Sequence, residues 1–282
     1  MTDAAKPRSV YGPASHYDRV TGAWTLLLGE ELHYGLFRSG DEDLETATAA
    51  LTREMIDAAA LEPGLELLDV GCGTGAQGCR LAAEQRVRVT GITTSAVGVE
   101  AARRRAQVRG LEEVVVFEQR DGMDNGFADA SFDRVWVLES SHLMRRRDRL
   151  LAESARVLRP GGRLVLCDIV LRRELDFQEV RRLREPLALL RDVFGDARME
   201  PLARYVDLAT AVGLAVERQV DLTAVTRPTF DRWHANALRH RDEVTGAVGE
   251  AGWQEFVHAC DLLGGFWDDG TLGYGLFVAD KP

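Results

Sequence analysis

Three observations predict an α/β fold, a Rossmann-like doubly wound sheet that is mostly parallel with an antiparallel strand at its C-terminal end. The first is an alternation of short apolar runs with amphipathic stretches of helical length between residues 66 and 170, the pattern of βαβ units. The second is the glycine-rich turn Gly71-Cys72-Gly73-Thr74-Gly75 directly behind the first apolar run. The third is a last apolar run, GYGLFVA at 273–279, after a long helical stretch.

The elements follow in order. Residues 66–70 are a strand, 75–85 a helix, 87–92 a strand and 96–109 a helix. Residues 114–119 are the third strand, Phe132–Leu138 the fourth, and 148–158 the next helix. Arg159-Pro160-Gly161-Gly162 reads as a turn into the fifth strand, 163–170. Beyond Val170 the alternation stops. Residues 174–194 read as one or two helices, 199–212 as another, 214–220 as a strand and 230–267 as largely helical. Ahead of the sheet, 17–37 carries Trp24, Leu26, Leu27, Leu28, Leu32, Tyr34 and Leu36 and reads as a helical extension. Residues 43–61 repeat apolar positions at helical spacing until Glu62-Pro63-Gly64 stops them. The expected organisation is a helical N-terminal extension over the site, 1–61, and a cofactor-binding domain, 62–282, with helical cap segments at 172–200 and 228–268. Ligands of open α/β sheets lie outside the carboxyl ends of the strands, under such a cap.

Bulk properties narrow the function classes. The 282 residues carry 35 basic and 45 acidic side chains, a formal net charge of −10. That balance counts against a nucleic-acid partner, which rewards basic surface. No run approaches the roughly 18 apolar residues of a membrane span, and the N-terminus lacks the apolar core of a signal peptide. The four cysteines, Cys72, Cys79, Cys167 and Cys260, form no CxxC pair and no zinc-type spacing with histidine. They read as reduced thiols of a cytoplasmic protein. Nothing in the sequence separates a monomer from a homodimer.

The glycine turn carries two overlapping patterns. Gly73, Gly75 and Gly78 spell the dinucleotide fingerprint GxGxxG, whereas Gly71, Gly73 and Gly75 spell GxGxG behind Asp69. A dinucleotide site wants its first glycine at the strand end and an acid about 20 residues on, to hold the ribose. Here the turn starts at Gly71, and the second strand is followed by Thr93, Thr94 and Ser95, with no acid. Asp69 suits a ligand with an ammonium group and no phosphates. Asp121, in Asp121-Gly122-Met123 after the third strand, can accept from an adenine amino group. Together these features point to S-adenosylmethionine. A ligand-free turn is the weaker alternative, because glycine costs conformational entropy and three in five positions need a reason.

The motifs LLDVGCGTG (67–75), VTGITTS (89–95), DGM (121–123), FADASFDRVWVLESSHLM (127–144) and ARVLRPGGRLVLCD (155–168) resemble those of the class I S-adenosylmethionine-dependent methyltransferases. More narrowly, the chain is similar to the small-molecule group that includes tocopherol, rebeccamycin, rifamycin and geranyl diphosphate methyltransferases. The resemblance is detailed from about Glu62 to Leu171 and weaker towards both ends. It implies that Gly71, Cys72 and Gly73 pass under the methionine moiety and that Thr93, Thr94 and Ser95 surround the ribose. Asp121 and Gly122, with Met123 beside them, would meet the adenine. Leu138 and Glu139 would line the methyl end, and Tyr17 and His33-Tyr34-Gly35 would fold over the cofactor. Gly98 stands where relatives often carry Gln, and Gly126 where many carry Pro, so one ribose contact and one loop are expected to differ.

Methyl transfer to a hydroxyl or ammonium needs alignment and a base. His142, in the segment after the fourth strand, is the candidate base, because an imidazole titrates near neutral pH. Asp168, near the end of the fifth strand, is placed to orient His142, to act as the base itself, or to cap the next segment. Glu139 is either a catalytic acid or a structural one. In rebeccamycin-type enzymes this region has two adjacent histidines; Leu143 takes the second position here. Arg145-Arg146-Arg147 reads as a solvated charge run rather than an anion clamp. His234, His240 and His258 read as helix-surface or packing residues without a metal role, and no carboxylate cluster for a metal is evident. The function read from these residues is transfer of a methyl group from S-adenosylmethionine, leaving S-adenosylhomocysteine, to oxygen or nitrogen of a small, mostly apolar natural product of the antibiotic type. The alternatives are a cofactor-binding cyclase on the same scaffold, as in the similar spinosyn cyclase, and a carbon methyltransferase acting on an isoprenoid.

Overall fold

The computed structural model describes residues 24–282. Helix α1 (Leu44–Ala59) precedes the sheet. Then come β1 (Glu66–Val70), α2 (Ala76–Gln85), β2 (Arg88–Thr93), α3 (Ala96–Val108), β3 (Val115–Gln119) and β4 (Phe132–Leu138). A short 3₁₀ turn, Ser141–Leu143, leads to α4 (Arg147–Val157) and β5 (Leu158–Leu171). The remainder is α5 (Phe177–Arg182), α6 (Arg184–Phe194), α7 (Leu202–Ala211), β6 (Ala215–Asp221), α8 (Thr223–Thr226), α9 (Thr229–Arg239), α10 (Arg241–Asp268) and β7 (Leu272–Asp280).

The seven strands form one sheet in the order β3-β2-β1-β4-β5-β7-β6. Strands β1 to β5 pair in parallel, and β7 runs antiparallel to both its neighbours, β5 and β6. The order reverses between β1 and β4, so the crevice where a doubly wound sheet takes its ligand opens beside the Gly71 turn. The period-two alternation of β4 and β5 explains why both faces are covered. Val135, Val137, Leu164 and Leu166 pack on one side with Leu150, Leu151 and Tyr205. Trp136, Val165 and Cys167 pack on the other with the aromatic residues of α9 and α10. Each fully buried aliphatic side chain of this kind contributes about 1.5–3 kcal/mol relative to exposure.

Two expectations about local structure are corrected. The helical extension holds for residues 24–28 and for α1, but 29–43 between them is not helical. Gly29, at φ +86°, ends the first helix, and the following apolar residues dock individually instead of lining one helical face. Tyr34 packs against Phe230, Trp233, Trp267 and Tyr274. The Leu36 N–H donates to Ala47 O, and the Phe37 N–H donates to Val225 O. This strap therefore ties α1 to the C-terminal helices. Second, Arg159–Gly162 does not separate α4 from β5. Pairing with β4 starts at Phe132 opposite Leu158 and shifts to Arg134 opposite Arg163. The N–H of Gly161 donates to Lys281 O and that of Lys281 to Gly162 O, so the chain end completes the ladder there.

Candidate active site

One cavity of about 1140 Å³ opens at the carboxyl ends of the strands. It brings together almost every residue singled out from the sequence: Asp69, Gly71, Cys72, Gly73, Thr93, Thr94, Ser95, Asp121, Gly122, Met123, Leu138, Glu139 and His142. Asp168 does not line it. Tyr17 lies outside the described residues.

The turn is built by backbone. Gly71 sits at φ +85°, and a Cβ there would stand 2.2 Å from the Ser140 Cβ, so only glycine fits. The N–H groups of Gly71 and Cys72 both donate to Ile92 O, which fastens the turn to β2. Gly73 lines the cavity with nothing within 4 Å of where its Cβ would be. The hydroxyl of Ser95 accepts from the Gly98 N–H and caps α3. A Cβ on Gly98 would come within 3.0 Å of Gly73 O, which explains the small residue there. Asp121 accepts the Met123 N–H on Oδ1.

Asp69 is 3% exposed, and its Oδ2 has no hydrogen-bond partner. Burial pushes its carboxyl up to about 7. An orphaned buried carboxylate oxygen costs free energy unless something cationic or hydrogen-donating meets it. The ammonium of a bound amino acid moiety is such a group, so the residues present fit S-adenosylmethionine.

Across the cavity, Asp168 is fully buried and saturated. It accepts from His142 Nδ1 at 2.6 Å, the His142 N–H at 3.0 Å, the Ile169 N–H at 2.8 Å, and the Ser141 hydroxyl. Burial pushes its carboxyl up, but the His142 charge and these hydrogen bonds hold it below the usual range. In return Asp168 raises the His142 imidazole, against burial and with help from Glu139. Four donors occupy Asp168, and it stands behind His142 rather than on the cavity wall.

Glu139 takes a left-handed backbone conformation, φ +47°. Its Oε1 accepts from the Tyr34 N–H at 2.8 Å and from the Tyr274 hydroxyl. Enclosure pushes it up to about 7. It ties the strap to β7 at the edge of the cavity.

The arginine run is corrected in part. Arg145 and Arg146 are exposed and pair with Asp196 and Asp148. Arg147 is 5% exposed, and its guanidinium donates to the carbonyls of His142 and Met144. A cation at the last turn of this loop grips the peptide that carries His142. In a polar cluster on the strap side of the cavity, sequence reasoning singled out His33 but missed Glu31 and Arg80. The His33 Nδ1–H donates to Tyr34 O, while Nε2 lies 3.0 Å from Glu31 Oε2, and Glu31 also accepts from Arg80 at 2.7 Å. Despite burial, His33 and Arg80 hold Glu31 down at about 2. His234 and His240 pair with Asp261 and Glu243 on the helix surfaces. Among the described residues no group of three or more His, Cys, Asp and Glu side chains could hold a metal ion. No helix among them is long and apolar enough to cross a membrane.

The sheet order, the glycine turn and the orphaned carboxylate define a class I S-adenosylmethionine-dependent methyltransferase. The model of the mycolic acid cyclopropane synthetase family matches residues 5–263, and the chain belongs to that family. It is 35% identical to 27-O-demethylrifamycin SV methyltransferase of Amycolatopsis mediterranei, over 94% of this chain and 95% of that one. The structure superimposes on that of the [4+2]-cyclase SpnF with a TM-score of 0.81 and 28% identity, covering 95% of both chains. On the cyclopropane synthase MmaA2 of Mycobacterium tuberculosis the TM-score is 0.85 at 21% identity, over 95% of this chain and 96% of that one, a likeness of fold.

Proposed function

We propose that the protein methylates an oxygen or nitrogen of a small, mostly apolar natural product, with His142 as the base. The observation that carries this reading is the His142–Asp168 pair beside the cofactor residues: Nδ1–H is committed to a buried carboxylate at 2.6 Å, which leaves Nε2 as the nitrogen available to a substrate. The rifamycin-type relative, named for an acceptor that lacks a 27-O-methyl group, supports an oxygen acceptor.

When bound, S-adenosylmethionine supplies an electrophilic methyl group on a positively charged sulfur and leaves as S-adenosylhomocysteine. The chain's own residues do the rest. Asp69 holds the ammonium end of the cofactor, and Gly71, Cys72 and Gly73 let it approach the backbone. Thr93, Thr94 and Ser95 take the ribose side and Asp121, Gly122 and Met123 the adenine side. Leu138 and Glu139 border the methyl end. His142 Nε2 accepts the proton of the acceptor O–H or N–H as the freed lone pair forms the bond to carbon. Asp168 stays ionised and keeps the resulting imidazolium in place. The strap with α1 covers the site, and α5, α6, α9 and α10 cap it. Leu187, Leu190, Phe194, Trp233 and Leu263 from those helices give the acceptor end an apolar wall. The four buried free cysteines suit a reducing, cytoplasmic compartment. The working form is a monomer or homodimer acting on small molecules rather than nucleic acid.

A second reading is cyclisation of a bound polyene without methyl transfer, favoured by the likeness to the [4+2]-cyclase. Methyl-labelled S-adenosylmethionine and a panel of hydroxylated macrocycles separate the two. Label on the acceptor with one equivalent of S-adenosylhomocysteine is the expected result. An acceptor converted with no S-adenosylhomocysteine formed would establish the cyclase.

A further inference from the structure

The Asp168 carboxylate is fed from a direction that methyl transfer does not obviously need. Ser141 and Tyr205 are both fully buried, and their hydroxyl oxygens lie 2.7 Å apart. Ser141 in turn contacts Asp168 Oδ2. Tyr205 comes from α7, more than sixty residues further along the chain, and packs with the core on the α4 side of the sheet.

The proton polarity of this chain is determined. An ionised carboxylate only accepts, so Ser141 must spend its single proton on Asp168. Tyr205 must then donate to the Ser141 oxygen. The Arg147 guanidinium, whose hydrogen bonds go to the carbonyls of His142 and Met144, adds its positive charge near the Tyr205 hydroxyl. Burial pushes that hydroxyl up to about 12, so it keeps its proton. The relay therefore runs one way, from Tyr205 through Ser141 to Asp168, where it meets the Nδ1–H of His142 coming from the other side. Chains of this kind polarise one another in a low-dielectric interior.

We infer that Ser141 and Tyr205 are positioning residues that set the proton affinity and tautomer of His142 through Asp168. This rests on the reading of His142 as the base. Loaded on Oδ2 by Ser141 and the His142 N–H, the carboxylate turns Oδ1 to Nδ1–H and shares its charge among several donors. That sharing keeps Asp168 ionised. It also keeps the imidazole from becoming so basic that it is already protonated at working pH. The charged and titratable groups facing His142 are Asp168 from β5, Glu139 from the end of β4 and Arg147 from α4. Of these, Asp168 is the one that Ser141 contacts.

The test is an NMR titration of histidine-labelled protein. The chain has six histidines, and the His142 signal is assigned by its loss in His142→Gln. In Ser141→Ala, Asp168 loses a donor and its charge falls more fully on His142, so the His142 pKa should rise by about threefold in proton affinity or more. Tyr205→Phe, which keeps the ring in the core, should raise it less, because Ser141 still donates. The Nδ1–H tautomer should persist in both. The acid limb of the kcat–pH profile should move up by the same factors, with kcat recovering at higher pH. A purely structural role would instead lower kcat at every pH and leave the His142 titration in place. An unmoved or lowered His142 pKa in Ser141→Ala overturns the inference. A raised pKa with an unmoved kcat profile supports the relay and removes His142 as the base, so the two claims fail separately.

Discussion

Two aspartates near the ends of β1 and β5 are equally dry and opposite in state. Asp69 is 3% exposed and Asp168 0%. Asp69 has an oxygen with no partner and is pushed up to about 7. Asp168 has four donors and is held low. Burial alone therefore does not decide what a carboxylate does; the donors supplied with it do. A carboxylate left incomplete at a cavity wall is completed by a ligand, and one completed by its own chain holds another residue. In the proposed function the first serves the cofactor half of the site and the second the acceptor half.

The contrast can be broken at several points. The largest effect is expected from His142→Ala on the acceptor side. Its kcat should fall on the order of 10³-fold, the range of general-base loss, while S-adenosylmethionine binding stays within about twofold. Retained turnover in steady-state assays would remove His142 from the mechanism.

The next is a pH effect on the ligand-free protein. Because the folded-state pKa of Asp69 lies above its ordinary 3.8, at about 7, the folded form holds a proton that the unfolded chain releases. Its contribution to stability is thus greatest below pH 4 and declines as pH rises to about 7. The decline is worth about 4 kcal/mol at about 1.4 kcal/mol per pH unit. Asp168 runs the other way: its contribution is present above its ordinary pKa and is lost as pH falls through its lowered folded value. Denaturant titrations of Asp69→Asn across this range should be flatter than those of the parent protein. A parallel dependence in both would mean that Asp69 is already ionised and paired.

Asp168→Asn should cost about 10²-fold in kcat, since an amide nitrogen turned towards Nδ1 favours the wrong tautomer, and it should leave cofactor affinity near normal. A fall in cofactor affinity as large as the fall in kcat would place Asp168 in the binding half.

The cofactor motifs were legible in the sequence, whereas on the acceptor side His142, Asp168 and Glu139 were legible and their partners were not, for a physical reason. The Gly71 turn, Asp69 and the residues at 93–95 and 121–123 act through local backbone geometry at the ends of strands whose order follows from βα alternation. Their spacing in sequence is their spacing in the site. The groups that complete the acceptor side meet only after folding. Glu139 finds Tyr34 across 105 positions and Tyr274 across 135, and Ser141 finds Tyr205 across 64. No local pattern marks such partners. Arg147 misled for the same reason: beside Arg145 and Arg146 it looks like one more solvated charge, and only the turn of the chain at Met144 carries it inside. The strap at 29–37 was read as helix because its leucines and Tyr34 fall near helical spacing. The positive φ at Gly29 and Leu32 and the aromatic pocket for Tyr34 set its conformation instead.

The division of labour between the two aspartates is tested most directly by calorimetric titration of S-adenosylmethionine into Asp69→Asn and Asp168→Asn side by side. An ionic hydrogen bond is worth about 1.5–3 kcal/mol, so Asp69→Asn should bind roughly tenfold or more weakly, and Asp168→Asn should bind like the parent protein. Unchanged affinity in Asp69→Asn, or the larger loss in Asp168→Asn, would contradict the account.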